Sequence, residues 1–359
     1  MRQVINFNPG PAVLPQSVLQ QAAAAVLDLD GAGMSVLEIS HRARAFEAIY
    51  EAAHEDLLQL MGLDAGTYSV LFLGGGASLQ FFSVPRNLLP PDGVAAYVDT
   101  GVWSQKAVEQ ARRVGRAEVV GSSASEKYAR LPEVSPIPAA AAYLHITTNN
   151  TIEGTQFHQT PETGAVPLVA DMSSDFLATD RDFTRFALMY AGAQKNIGPA
   201  GVTIVVIRRS LLDACREDVP EMLSYRVHEK ARSVYNTPPV FGVYVVGLVC
   251  RWIMEQGGVA GVAAANRRKA ELVYGALDAH PDVYEPTVTV PAHRSLVNIT
   301  FRLRDSFRES EFLDGARERH MVGLRGHRAV GGFRASMYNA FEEAWAERFA
   351  DYLHAFARL

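Results

Sequence analysis

Two residues in this 359-residue chain are spaced to do chemistry together. Asp171 ends the apolar run Pro167-Leu-Val-Ala-Asp171 and is followed by the hydroxyl residues Ser173 and Ser174. Lys195 follows a second apolar run, Phe186-Ala-Leu-Met-Tyr190, with Gly198 and Gly201 just beyond, and Val202–Ile207 then reads as a further strand. An acid at one strand end and an amine after the next are what pyridoxal phosphate requires. The amine forms a Schiff base with the cofactor aldehyde, and the acid pairs with the pyridinium nitrogen so that the ring draws electrons. The same spacing also fits a plain βαβ unit with a surface acid and a surface lysine, and the surrounding elements decide between the two.

Tyr68–Leu73 reads as a strand running into Gly74-Gly-Gly-Ala77-Ser78, after which a helix begins. A strand, a glycine turn and a helix in that order suit a phosphate, because the backbone can approach closely and the first N–H groups of the helix point at the anion. Gly93–Val98 is the next strand, leading through Trp103 into a helix that runs to Arg113. Ala142–Thr147 is another, and the polar loop Thr148-Asn-Asn-Thr151-Ile-Glu-Gly154 follows it. Strands are expected to alternate with helices from there to Ile207, giving an open, mostly parallel α/β sheet with ligands beyond the carboxyl ends of its strands. Ser78, Trp103, Thr151, Asp171 and Lys195 all fall at such ends, on one rim.

The flanking segments are also readable. Asn8-Pro-Gly-Pro11 is a rigid, non-helical entry. Helices are expected over 16–29, from about 45 to 61 with Gly62 as C-cap, over 240–256 and over 258–279, with Arg267, Arg268 and Lys269 on a solvated face. Ser295–Phe301 reads as a strand and 310–320 as a helix. The glycine-flexed stretch from Gly323 to Asn339 carries His327, Arg328 and Arg334, and a last helix covers 341–359. These divide the chain into an N-terminal arm (1–15), a large α/β domain (16–255) and a smaller C-terminal α+β domain (256–359) that the arm joins.

Bulk properties exclude several classes. A net charge of −5 offers no basic field for nucleic acid or an anionic membrane. Cys215 and Cys250 are too few and too isolated for a disulfide framework or a zinc site, and no other metal site is expected. The N-terminus lacks an apolar core of signal length, and the apolar stretch from Val240 to Cys250 stops at Arg251, too short to span a bilayer. A cytoplasmic protein is the expectation.

The ordered set Asn6-Phe-Asn-Pro-Gly-Pro11, Ser40-His41-Arg42, Gly74-Gly-Gly-Ala-Ser-Leu-Gln80, Asn150-Thr-Ile-Glu-Gly154, Ala170-Asp-Met-Ser-Ser174, Gln194-Lys-Asn-Ile-Gly-Pro-Ala-Gly201, Asn236-Thr-Pro-Pro239 and Gly326-His-Arg328 through Gly331-Gly-Phe-Arg334-Ala-Ser-Met-Tyr-Asn339 resembles the phosphoserine aminotransferase family. That family lies in the class V group of fold-type I pyridoxal phosphate enzymes, and the likeness covers nearly the whole chain. It implies a large domain on a mostly parallel seven-stranded sheet. It also implies Lys195 as the Schiff-base lysine, Asp171 on the ring nitrogen, Trp103 stacked on the ring, Thr151 on the ring oxygen, and Ala77, Ser78 and Gln194 on the phosphate, with Ser173 also at the cofactor. Asn236 and Thr237 would reach the phosphate from a partner subunit, making a homodimer with shared sites. Arg334 would grip the substrate α-carboxylate. His41 and Arg42, with His327 and Arg328 from the partner, would hold the phosphate or the distal carboxylate. Some relatives carry an arginine where this chain has Ala77, so this chain would manage without that cation or recruit another, such as Arg44.

The implied reaction moves the amino group of glutamate to 3-phosphohydroxypyruvate, giving phosphoserine and 2-oxoglutarate; a phosphorylated hydroxythreonine of vitamin B6 synthesis is a second candidate substrate. Arginine forks suit such dianions. Lys195 as general base needs its pKa brought from near 10.4 towards roughly 7–8. The rivals are another class V enzyme, such as an alanine–glyoxylate aminotransferase or a cysteine desulfurase, and a catalytically silent cofactor-binding protein. A dinucleotide-binding oxidoreductase fits poorly, because the glycine loop lacks the dinucleotide spacing.

Overall fold

The computed structural model describes residues 4–359, so the first three residues of the expected arm lie outside it. Its strands are β1 (Ile5–Asn6), β2 (Tyr68–Leu73), β3 (Val94–Asp99), β4 (Arg116–Ser122), β5 (Ala141–Thr147), β6 (Leu168–Asp171), β7 (Leu188–Gly192), β8 (Thr203–Arg208), β9 (Tyr284–Pro286), β10 (Asn298–Leu303), β11 (Met321–Val322) and β12 (Phe333–Ser336). Its α-helices are α1 (Gln16–Leu27), α2 (Arg44–Met61), α3 (Gly76–Leu88), α4 (Val102–Val114), α5 (Arg209–Asp213), α6 (Tyr225–Lys230), α7 (Val240–Glu255), α8 (Gly258–Asp278), α9 (Glu309–Glu318) and α10 (Glu343–Phe356).

A seven-stranded sheet in the order β2-β8-β7-β6-β5-β3-β4 organises the molecule. β3 to β7 run parallel, and β8 lies antiparallel between β2 and β7. Its central strands are apolar runs buried on both faces, as a covered parallel sheet demands. One face packs on α1, α2 and α7 through Val70, Phe72, Ile204 and Val246. The other packs on α3 and α4 through Tyr97, Tyr143, Tyr190 and Phe81. α7 is thus a core helix, and among the described residues no single helix is long and apolar enough to cross a membrane.

A separate cluster joins β10 and β12 to α8, α9 and α10 through Phe301, Phe312, Phe333 and Phe349. Phe7 packs into it against Phe341 and Phe349, and β1 pairs in parallel with β11.

Two expectations are corrected. No α-helix intervenes anywhere from β5 to β8. The β5–β6 connection instead turns inward and is satisfied by polar side chains: Asn149 Nδ2 donates to Asn298 Oδ1 (2.7 Å) and Gln156 Nε2 to Asp175 Oδ2 (3.1 Å). Lys269 does not lie on a solvated face; it is 1% exposed, because α8 turns it towards the chain that follows β12.

Candidate active site

β6 ends at Asp171, flanked in register by Thr147 of β5 and Tyr190 of β7. Its Oδ1 accepts the backbone N–H of Ser173 (2.9 Å), whose Oγ accepts the N–H of Gly192 at the end of β7 (3.1 Å). Burial pushes the Asp171 carboxyl up from the usual carboxylate range, and the charge of Lys195 and the Ser173 bonds oppose it. A carboxyl with so little water around it favours a proton facing it, which is what a pyridinium N–H supplies.

The turn after β7 carries Gln194, Lys195 and Asn196. Lys195 is half-buried, and burial, with some help from Arg334, draws its pKa down to about 8 against the opposing pull of Asp171. This is the direction a general base requires. Its Nζ donates to Thr151 Oγ1 (2.7 Å) and stands 5.8 Å from the Trp103 ring centroid. The N-terminal arm closes one side: Ala12 N donates to Gln194 O (2.9 Å). Gly10 has φ +133°, which strains any other residue, and a Cβ there would press on Lys195 Cγ at 3.2 Å.

Arg334 arrives from β12, buried, with Nη1 donating to the Thr151 carbonyl (3.0 Å) and Nε without any acceptor. Thr151 therefore receives Lys195 on its hydroxyl and Arg334 on its carbonyl. Trp103 Nε1, in the first turn of α4, is also buried without a partner.

Ala77 and Ser78 sit in the first turn of α3, whose N-cap Gly75 has φ +87°. Their N–H groups lack intrahelical partners and present a partial positive charge. Asn236 and Thr237 stand exposed and share with Gly74 and Gly75 a groove of about 450 Å³, which Gln80, Met222, Tyr225 and His228 also line. The imidazole in that groove, His228, has a buried Nδ1 without a partner, whereas Arg44 is exposed on α2.

The remaining site residues lie apart. His41 and Arg42 line a groove of about 250 Å³ with Lys230 and Arg232. His327 and Arg328 sit on the loop before β12, which Arg302 Nη2 holds by donating to Val330 O (2.8 Å). The His327 pKa is lowered by burial and by Arg334, Arg328 and Lys106. Within one protomer the structure gathers Asp171, Lys195, Thr151, Trp103 and Arg334, with His327 near enough to feel the Arg334 charge, while His41 and Arg42 line a different groove.

Sequence reasoning missed Glu153. Its Oε1 accepts Val102 N (2.8 Å), its Oε2 has no partner, and burial raises its carboxyl to about 7. Its place shows only in the fold: Gly101 stands at φ +152°, and a Cβ there would run into the Glu153 carboxylate.

The fit to pyridoxal phosphate is direct: an amine of lowered pKa, a buried carboxyl that feels its charge, an indole over the amine and a helix N-terminus for the phosphate. The chain belongs to the class-V aminotransferases, whose family model matches residues 4–349. Among the relatives it matches end to end are phosphoserine aminotransferases. That of Geobacillus kaustophilus is 47% identical over 360 residues, covering 100% of this chain and 99% of the relative. The solved phosphoserine aminotransferase of Bacillus circulans subsp. alkalophilus superposes with a TM-score of 0.96 at 46% identity, covering 99% of this chain and 98% of that one. The pyridoxal phosphate-bound enzyme of Trichomonas vaginalis does so at 0.90 and 33% identity, covering 98% and 99%. The chain is thus an aminotransferase, and its cofactor is pyridoxal phosphate.

Proposed function

We propose that this enzyme transfers the amino group of L-glutamate to 3-phosphohydroxypyruvate, giving O-phospho-L-serine and 2-oxoglutarate in serine biosynthesis. The observation that carries the reading is the convergence of Lys195 and Arg334 on Thr151, with the Arg334 Nε buried and unpaired. A buried guanidinium N–H without an acceptor is costly unless an anion completes it, and the α-carboxylate of an amino acid is the matching fork.

When bound, the cofactor supplies an electrophilic aldehyde carbon and a cationic ring that withdraws electrons from the reacting bond. Lys195 Nζ would hold that carbon and, once released, would take the proton from the substrate α-carbon and deliver it to the former aldehyde carbon. A pKa of about 8 leaves a useful fraction of the amine neutral near pH 7 while it stays a competent acid. Asp171 would hold the proton on the ring nitrogen, with Ser173 fixing its carboxylate. Thr151 orients Lys195 through its hydroxyl, Trp103 would cover the ring face, and Ala77, Ser78 and Gln194 would hold the phosphate.

Arg42 and Arg328 supply the cations, and His41 and His327 further ring N–H donors, for a substrate phosphate or distal carboxylate, and a second copy of the chain unites them. Asn236 and Thr237 reach the partner's phosphate site in that homodimer, and the exposed Met222 and Tyr235 beside them gain cover. The arm (1–15) goes with the small domain (256–359), and the two meet the large domain (16–255) around the site. The two cysteines, free and buried, suit a reducing cytoplasm. They do not suit a desulfurase, since burial pushes the Cys215 thiol up to about 12 and raises that of Cys250 further.

Visible absorbance of the holoenzyme tests the reading. Glutamate should bleach the bound cofactor's band, and 3-phosphohydroxypyruvate, but not pyruvate or glyoxylate, should restore it. Equal recovery with pyruvate would leave an aminotransferase without the phosphate preference.

A further inference from the structure

The chemistry above leaves one buried amine unused. Lys269, midway along α8, donates from Nζ to the carbonyls of Tyr338 (2.8 Å), Phe341 (3.0 Å) and Met337 (3.4 Å). All three acceptors are backbone oxygens of one turn, no carboxylate is among them, and burial draws the Lys269 pKa down to about 7. Taking an amine out of water for carbonyls alone is costly, and a methionine, one atom shorter, would fill most of the space. The amine therefore does something that packing does not.

The turn it holds reaches both reactive ends of the site. Arg334 lies just before it on β12, and Met337 N donates to Val297 O (2.8 Å), keeping the chain on β10. Asn339 N donates to Asn196 Oδ1 (3.2 Å), the neighbour of Lys195, whose Nδ2 in turn donates to Ser174 O (2.6 Å). Asn266, one turn before Lys269 on α8, donates from Nδ2 to Asn339 Oδ1 (3.0 Å) and to Ala178 O (2.9 Å). One face of α8 thus grips the turn at both ends.

We infer that Lys269, with Asn266 beside it, is a positioning residue: its Nζ sets the 337–341 turn, and through that turn the depth of Arg334 and the seat of Asn196 beside Lys195. The inference rests on the reading that Arg334 takes the substrate α-carboxylate. Loss of the three bonds loosens the turn and lets Arg334 withdraw along its own strand. Substrate binding suffers first, and proton transfer at Lys195 suffers less, because Asn196 keeps its second bond to Ser174.

The test uses the holoenzyme and glutarate, which is glutamate without its amine and so binds but does not react. Binding is measured by calorimetry and by inhibition. Lys269→Met should weaken glutarate at least tenfold, with a matching rise in the KM for glutamate and a change in kcat of under threefold. Lys269→Gln, with two amide donors, should recover part of that loss. Leu277→Ala, buried further along α8 in the same core, is the control for plain destabilisation. It should lower Tm and leave glutarate affinity within twofold. If Lys269→Met binds glutarate like the wild type, or weakens it no more than Leu277→Ala at equal loss of Tm, the inference is overturned. Should Lys269→Met not fold, Lys269→Gln against Leu277→Ala decides by the same criterion. A wild-type enzyme that neither binds glutarate nor turns over glutamate refutes the site assignment itself, before any variant is made.

Discussion

The centre of the site and its cationic rim are built on opposite principles. At the centre, Asp171, Lys195, Thr151 and Arg334 come from four separate segments, yet they meet within one chain, are wholly or partly buried, and have bonds that fix their direction. At the rim, Arg42 and Arg328 are exposed, and loops carry them. On the proposed roles, the contrast separates two tasks. Proton transfer needs a fixed geometry and a shifted pKa, which burial within one fold provides. Recognition of a dianion needs cations that stay hydrated until the ligand arrives, and these are cheaper to keep in water at an edge than in a core.

Substitutions on each side of that divide should behave differently. Lys195→Ala should abolish the bound cofactor's visible band and cut turnover by at least about 10³-fold, since it removes both anchor and base; a variant that keeps the band would show that another amine holds the cofactor. Arg334→Leu should lower kcat/KM by about 10²–10³-fold while the band survives, because two charge-assisted bonds are lost and the cofactor's own ligands remain. Steady-state kinetics with parallel spectra distinguish these two losses. Arg42→Ala or Arg328→Ala should raise the KM for the phosphorylated keto acid about ten- to a hundredfold, with cofactor binding unchanged. An equal loss in cofactor affinity would erase the boundary between centre and rim.

The smallest effect concerns stability. The Glu153 carboxyl is raised from 4.5 to about 7 by burial, so the folded state keeps a proton that the unfolded chain releases. That contribution is complete below pH 4.5, is lost as pH rises through about 7, and amounts to about 3 kcal/mol. Relative to Glu153→Gln, the wild type should therefore lose stability between pH 5 and pH 8 in urea titrations. Parallel curves across that range would mean that the buried carboxyl is already ionised at pH 5.

Much of this was legible in the sequence, where local signals are strong. The Tyr68–Leu73 strand, its glycines and the following helix form one unit, and Asp171 and Lys195 lie at strand ends because apolar runs stop there. The connections from β5 to β8 were not legible. Periodicity registers helices and strands, but the 148–156 segment is held by single side chains such as Asn149 and Gln156, whose partners Asn298 and Asp175 are remote or unpatterned in sequence. Lys269 was misread for a related reason. A run of three basic residues suggests a wet face, and only the distant turn at 337–341 reveals what the last of them binds.

The pairing of β1 with β11 has a consequence for how the protein is made. Ile5 and Asn6 are synthesised early, but their partners Met321 and Val322 emerge more than 300 residues later. On a ribosome adding roughly 5–20 residues per second, the first strand waits on the order of a quarter of a minute or longer for its place, and so does the wall that Gly10 makes beside Lys195. The large sheet can form around the lysine during that interval. The pocket closes only when the chain's beginning returns to its end, so a nascent or truncated product that stops short of β11 would carry a folded sheet with its reactive amine open to water.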